Sequence, residues 1–233
     1  MQNKDVKYRH ELKYLVSAAQ LPLLKSRIRS IMKPDPHAGT SGVYNIRSLY
    51  FDDDQNRCYY DNENGTDPRE KFRIRIYNHS TARITLEAKR KEHGKTQKTS
   101  CPLTVEQTQL LIRGKHFHPP ADAHPLLRKF LLEIQTRRLH PVVIVEYDRI
   151  PYTYPSGNVR VTFDTNICSS SNVEDFLSDV IPKRPIMPVG QHLMEVKFDE
   201  YLPDYIYSSL SIGLLQQATF SKFYLCRKFS LCR

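Results

Sequence analysis

Tryptophan is absent from this 233-residue chain, and other absences narrow the reading further. No run approaches the roughly 20 apolar residues that a membrane-spanning helix needs. The opening MQNKDVKYRHELKY holds no apolar core of a secretory signal. The cysteines, Cys58, Cys101, Cys168, Cys226 and Cys232, are scattered with no CxxC pair. Their spacing speaks against a cysteine-built zinc site, and a cytoplasmic protein with free thiols is the expectation. The histidines are dispersed; the one close pair, HFH at 116–118, has no evident third ligand. There is no internal repeat, low-complexity tract or interdomain linker, and VIPKRPIMPVG is short enough to be a loop. The expectation is therefore one domain over 1–233.

What is abundant is positive charge. Thirty-five Lys and Arg stand against 25 Asp and Glu, a formal net charge of +10 with a pI near 9.4. That balance favours a polyanionic partner: nucleic acid, a phosphorylated small molecule, polyphosphate or an anionic membrane surface. The hydrophobic share is 39% and the mean hydropathy -0.54, a polar but foldable composition.

The charge sits inside strand patterns. In REKFRIRIYNHSTARITLEAKRKE, Arg73, Arg75 and Tyr77 alternate with Phe72, Ile74 and Ile76. Arg83, Thr85, Glu87 and Lys89 alternate with Ile84, Leu86 and Ala88. Period two puts the charges on one face and the apolar residues on the other. The pattern predicts a hairpin of strands near 71–78 and 82–90. Further strands are predicted over 6–16, 43–52, 95–101, 141–149, 158–164 and 191–198. Helices are predicted over SAAQLPLLKSRIRSIM, with Ser17 and Gln20 as a capping box, over TVEQTQLLIRG, with Thr104 and Gln107, over HPLLRKFLLEIQTRR, and over 203–216. Asp52–Asp54 open a turn or short helix reaching Tyr60, and 220–226 reads as a last helix or an irregular closing segment.

Several strands each donate two charges to one face, among them Glu11 and Lys13, Arg73 and Arg75, Glu87 and Lys89, and Glu195 and Lys197. Burying so many ions in a dry core is prohibitive. The charged face is either open to solvent or lines a hydrated cavity that binds opposite charge. Rolled into a barrel, such a sheet has a polar interior with helices over its apolar outside.

The ordered segments YRHELKYLV, YNIRSLYFD, REKFRIRIY, LEAKRKEHGKTQK, VEYDRIPY, VRVTFD, LMEVKF and FSKFYLC resemble the VTC domain. That domain is the polyphosphate polymerase family of the triphosphate tunnel metalloenzyme superfamily, and the resemblance runs over roughly residues 5–228. It implies an α+β fold: an eight-stranded antiparallel β-barrel with a basic interior and helices outside. It also implies transfer of the γ-phosphoryl group of ATP to a growing polyphosphate chain, with Mn²⁺ or Mg²⁺ and release of ADP. By the same resemblance Lys13, Arg73, Arg75, Lys89, Arg149, Arg160 and Lys222 bind and act on phosphate. Lys98 matches a further phosphate contact and Glu195 the metal-binding glutamate; from their place on the charged face, Glu87 and Glu11 are expected to orient the basic groups or to assist through water. The partners expected are ATP and polyphosphate rather than nucleic acid, whose binding asks for aromatics and basic residues alternating on an open surface. No membrane or protein partner is named by the sequence. The expectation is a bare catalytic module, without the phosphate-sensing and transmembrane segments of some larger relatives. Hydrolases of the superfamily often begin with ExExK. Here RHELK places Arg9 where the first acid would stand, removing a carboxylate and adding a cation. That fits a polymerase better than the alternative, an inorganic triphosphate or polyphosphate hydrolase.

Overall fold

The computed structural model describes residues 8–212 and 215–231. Val6 and Lys7 of the expected first strand, residues 213–214 of the expected 203–216 helix, and Cys232 lie outside them. In chain order the strands are β1 (His10–Ser17), β2 (Lys33–Pro34), β3 (Tyr44–Asp52), β4 (Arg69–Tyr77), β5 (Ser80–Glu92), β6 (Lys95–Leu103), β7 (His140–Tyr154), β8 (Val159–Ser170), β9 (Arg184–Pro185) and β10 (Gln191–Phe198). The helices are α1 (Gln20–Arg29), α2 (Arg57–Glu63), α3 (Val105–Ile112), α4 (Pro125–Arg137), α5 (Asp204–Leu210) and α6 (Lys222–Leu231).

Eight strands form one antiparallel path, β1-β10-β8-β7-β3-β4-β5-β6, with β2 and β9 as two-residue additions on β7 and β8. The path curls until its ends meet. Just before β1, Arg9 exchanges both backbone hydrogen bonds with Thr96 of β6, each 2.9 Å. Further along the seam a different segment takes over: the Ala218 N–H donates to the Lys13 carbonyl at 2.8 Å, and Gln217 bridges to Tyr14. The wall is thus closed by one residue pair and by a strap from the chain's last part, rather than by a full β1–β6 ladder.

Alternation places the apolar strand residues on the convex face, where helices cover them. Phe72, Ile74, Ile76 and Leu86 pack with Phe130 and Leu127 of α4 and Leu111 of α3. Val161, Phe163, Met194 and Val196 pack with Leu24 and Ile28 of α1 and Ile206 of α5. α3 begins in the expected capping box, the Gln107 N–H donating to Thr104 Oγ1 at 3.1 Å and the Thr104 N–H to Gln107 Oε1 at 3.0 Å. Ser17 and Gln20 exchange the equivalent contacts, at 2.9 and 3.2 Å, but across the turn that leads into α1, whose N-cap is Ala19 with no side-chain bond.

α6 departs from this pattern. Its Phe223 and Cys226 are buried with Tyr50, Val143, Val145 and Tyr147. Tyr50 and Val143 are cross-strand partners and so share a face, and Tyr50 and Tyr147 line the interior cavity. The concave side is therefore divided, apolar beneath α6 and charged beside it.

Candidate active site

The charged part of the concave side encloses a cavity of about 230 Å³. β4 contributes Arg69, Lys71, Arg73 and Arg75 at two-residue steps. β5 contributes Lys89 and Lys91; β1 contributes Glu11 and Lys13; β10 contributes Glu195 and Lys197; β7 contributes Arg149; and α6 contributes Lys222. Ten cations and two carboxylates thus share one wall. Lys222 reaches it because the strap Gln217–Ser221 enters the seam, where the Phe220 carbonyl accepts from Lys13 Nζ at 2.6 Å.

Carboxylates behind and within the wall hold the inner cations. Arg73 Nη2 lies 2.6 Å from Glu87 Oε2, and Arg73 Nη1 donates to the Tyr50 hydroxyl at 2.7 Å. Arg75 donates to Ser48 Oγ at 3.1 Å and sits 3.7 Å from Glu87. Arg149 grips Asp164 with two bonds of 2.7 Å, and Lys222 Nζ lies 2.6 Å from Asp164 and 2.7 Å from Glu195. Burial opposes ionisation of Glu195, yet Lys222, Lys197, Lys13 and Arg149 outweigh it and hold the carboxyl well below the usual range. Burial is likewise outweighed at Glu87 by Arg75 and Arg73, and at Asp164 by Arg149 and Lys222; both carboxyls are lowered. Burial raises the Tyr50 phenol, and Arg73 and Arg75 more than reverse it, leaving a net lowering.

Glu11 serves the other wall. It lies 2.7 Å from Lys89, 3.5 Å from Lys13 and 3.9 Å from Lys197. Burial disfavours its charge, but those three ammoniums hold it well below the normal carboxylate range. Lys89 itself is lowered to about 8, by burial first, with Glu11 opposing and Lys13 and Lys197 adding to the fall.

Of the residues singled out from the sequence, Arg73, Arg75, Lys13, Lys89, Arg149, Lys222, Glu11 and Glu195 meet on this wall. Glu87 lies behind it, 2% exposed. Lys98 approaches Glu87 at 3.1 Å from a side chain 51% exposed, off the wall. Arg160 is drawn off as well: Asp35 holds its guanidinium at 2.7 Å and the Tyr44 hydroxyl accepts from it at 2.8 Å. Arg9 does not add a cation to the cavity, because its guanidinium pairs with Asp199 at 3.0 Å.

Arg69, Lys71, Lys91 and Lys197 join the wall without having been assigned a role from the sequence, and Asp164 anchors it from behind. The signal for each is the same period of two: 69, 71, 73 and 75 share a face, as do 87, 89 and 91, 195 and 197, and 160, 162 and 164.

A divalent metal finds only a partial protein shell. Among the described residues no group of three or more His, Cys, Asp or Glu side chains converges. Every oxygen of Glu195 and Glu11 faces a cation. Mg²⁺ commonly binds through one or two carboxylates plus phosphate oxygens. Glu195 and Glu11 fit that pattern for a metal that shares its shell with a phosphate ligand, since phosphate would compete for the lysines now lying against them.

The VTC domain model matches residues 8–230. No match is found among curated proteins. Among solved structures, the candidate adenylyl cyclase HpAC1 from Hippeastrum, described as having a dominant triphosphatase activity, is 13% identical over 96% of both chains, with a TM-score of 0.54. The PH1819 protein of Pyrococcus horikoshii OT3 is also 13% identical, over 95% of this chain and 99% of its own, with a TM-score of 0.51. At these identities the likeness is one of fold. With nearly its whole length matched and its basic wall built on a curled eight-stranded sheet, this chain belongs to the VTC domain family, within the triphosphate tunnel superfamily.

Proposed function

We propose that the protein is a metal-dependent polyphosphate polymerase, transferring the γ-phosphoryl group of ATP to a growing polyphosphate chain and releasing ADP. The observation that carries this reading is the excess of Lys and Arg over acid on the wall of one cavity within the curled sheet. Phosphoryl transfer asks a protein mainly for alignment and positive charge. Arg73 and Arg75 offer planar guanidiniums that grip phosphate oxygens in pairs and offset charge as it develops. Lys13, Lys89, Arg149 and Lys222 surround them. Glu87 and Asp164, each bonded to two of these cations or more, keep them aimed into the cavity before any ligand arrives. Glu195 and Glu11 would hold a divalent metal shared with the phosphate ligand, and it would supply further neutralisation of the triphosphate's charge.

The acceptor in a polymerase is a terminal phosphate that is already anionic near neutral pH, so no strong base is required. Hydrolysis needs water to be activated. Arg9 stands where hydrolases of the superfamily often carry the first acid of ExExK, and the lost carboxylate favours transfer to phosphate over transfer to water. Hydrolysis remains the second reading, because a triphosphatase activity is described for the Hippeastrum protein on this fold. The two are separated by incubating purified protein with ATP and Mn²⁺ or Mg²⁺ and sizing the products on a gel. The polymerase reading expects a phosphate polymer together with ADP. Orthophosphate and no polymer would replace it with the hydrolase.

A further inference from the structure

Outside the curled sheet, the ends of α3 and α4 meet the start of β7 around another cavity. It has a volume of about 380 Å³ and shares no lining residue with the phosphate wall. Its floor is apolar, made of Leu111, Ile134 and Leu139, all buried members of the core beneath these helices. Its rim carries Lys115 and His116 from the turn after α3, and Arg138 and His140 from the step between α4 and β7. Among the described residues Asp54 is the one acid that lines it.

The two helix ends make their turns differently. α3 closes on Gly114, whose φ of 65° suits glycine, and the Lys115 N–H donates back to the Leu110 carbonyl at 2.9 Å. α4 closes on Arg138, at φ 57° and ψ 40°. A residue with a Cβ is strained in that left-handed region, where glycine is the relaxed choice. The bend buries Leu139 and leaves its neighbours, Arg138 and His140, at the cavity. Backbone strain of this kind gathers at ligand clamps. Complementing the helix dipole does not call for it, since Arg137 in the last turn of α4 already supplies a cation there.

The rim cations are weakly compensated. Among the described residues neither the Lys115 nor the His116 side chain has a hydrogen bond or ion pair. Asp54 lies 3.7 Å from Arg138 and 3.6 Å from His140, too far for hydrogen bonds. The Arg138 carbonyl, which can only accept, lies 3.1 Å from His140 Nδ1. It holds the ring proton on that nitrogen and leaves Nε2 for a ligand.

We propose that this outer cavity is a binding site for a small phosphate monoester carried on a flat ring. The ring lies on the apolar floor, and the phosphate sits among Lys115, His116, Arg138 and His140. Arg138 offers a planar fork that takes two phosphate oxygens together. The volume is near the lower end of those that hold organic ligands. The site is independent of the polymerase reading, because it shares no residue with the phosphate wall and needs no turnover.

The test is an NMR titration of the full chain with phenyl phosphate and, separately, with orthophosphate. The ring protons of His116 and His140 are followed, identified from His116→Gln and His140→Gln. In the wild type both rings are expected to shift along one saturable curve. Phenyl phosphate should bind about tenfold more tightly than orthophosphate, because only it covers the floor. Lys115→Met/Arg138→Gly should weaken phenyl phosphate at least about tenfold. Glycine relaxes the left-handed bend, so this variant should melt no lower than the wild type, which separates lost binding from lost fold. Rings that do not move, unchanged affinity in the double variant, or equal affinity for the two probes would each overturn the proposal. A lowered melting temperature would make Arg138 a structural tie to Asp54 and overturn its assignment to the ligand.

Discussion

Two adjoining stretches of β4 and β5 treat charge in opposite ways. Around Arg73 and Arg75, and across the cavity at Arg149 and Lys222, every cation meets a buried carboxylate. Among the described residues Lys71, Arg69 and Lys91 themselves meet none, although Lys89 opposite Lys71 pairs with Glu11 at 2.7 Å. The paired region resembles a buried ionic network, in which loss of one partner strands the others in low dielectric. The unpaired region bears its cost in the ligand-free protein. Burial brings Lys71 down to about 7; Cys58 opposes it as the next-largest influence, and the charges of Arg69, Lys89 and Lys13 add to the fall. One region is organised without a ligand; the other leaves its cations uncompensated.

The largest effect should come from the paired region. Arg73→Lys/Arg75→Lys keeps charge beside Glu87 but loses the planar fork. ATP consumption should fall by a factor of about 10³, with little change in melting temperature. Near-normal turnover in this variant would refute the assignment of these two residues.

Next in size is Asp164→Ala. It leaves Arg149 and Lys222 without their fully buried partner. Urea denaturation should show a loss of about 3–5 kcal/mol. Lys71→Met should behave in the opposite sense, leaving stability within about 1 kcal/mol of wild type or slightly above it. Comparable losses in both variants would erase the distinction between the regions.

The smallest effect concerns pH. Lys71 has a folded pKa lowered to about 7, while the unfolded side chain titrates near 10.4. Between these values the unfolded chain binds more protons at this residue, so its contribution to stability rises with pH. Lys71→Met lacks that dependence. Any stability advantage of the variant near pH 7 should shrink steadily toward pH 10 in paired denaturation curves. A difference that stays constant with pH would show that Lys71 is not desolvated as described.

The rows themselves were legible, because period two states which side chains share a face; which residues stand opposite, as in Arg73–Glu87 and Lys13–Glu195, is set by strand pairing that alternation does not state. Which cations are compensated was not, since partners come from remote segments: Asp35 removes Arg160 and Asp199 removes Arg9. The strap Gln217–Ser221 has no period to read, and its place in the β1–β6 seam depends on how far the sheet curls. Nor does alternation explain Arg47, 1% exposed on the convex face, which pairs with Glu146 at 2.5 Å and donates to the carbonyls of Phe176 and Asp179 at 3.1 Å. That charge ties down a loop. Helix α5 stops at Leu210, short of the expected 203–216, while β7 runs on to Tyr154 through Pro151, where the apolar alternation weakens.

The central claim is that cations from separate strands and α6 converge to bind a phosphate chain inside the curled sheet. A crystal structure with tripolyphosphate tests it most directly. The account predicts density for the anion between Arg73, Arg75 and Lys222, with Lys89 and Lys13 turned toward it. Tripolyphosphate bound only on the outer surface at saturating concentration, with the interior cavity unfilled, would contradict it.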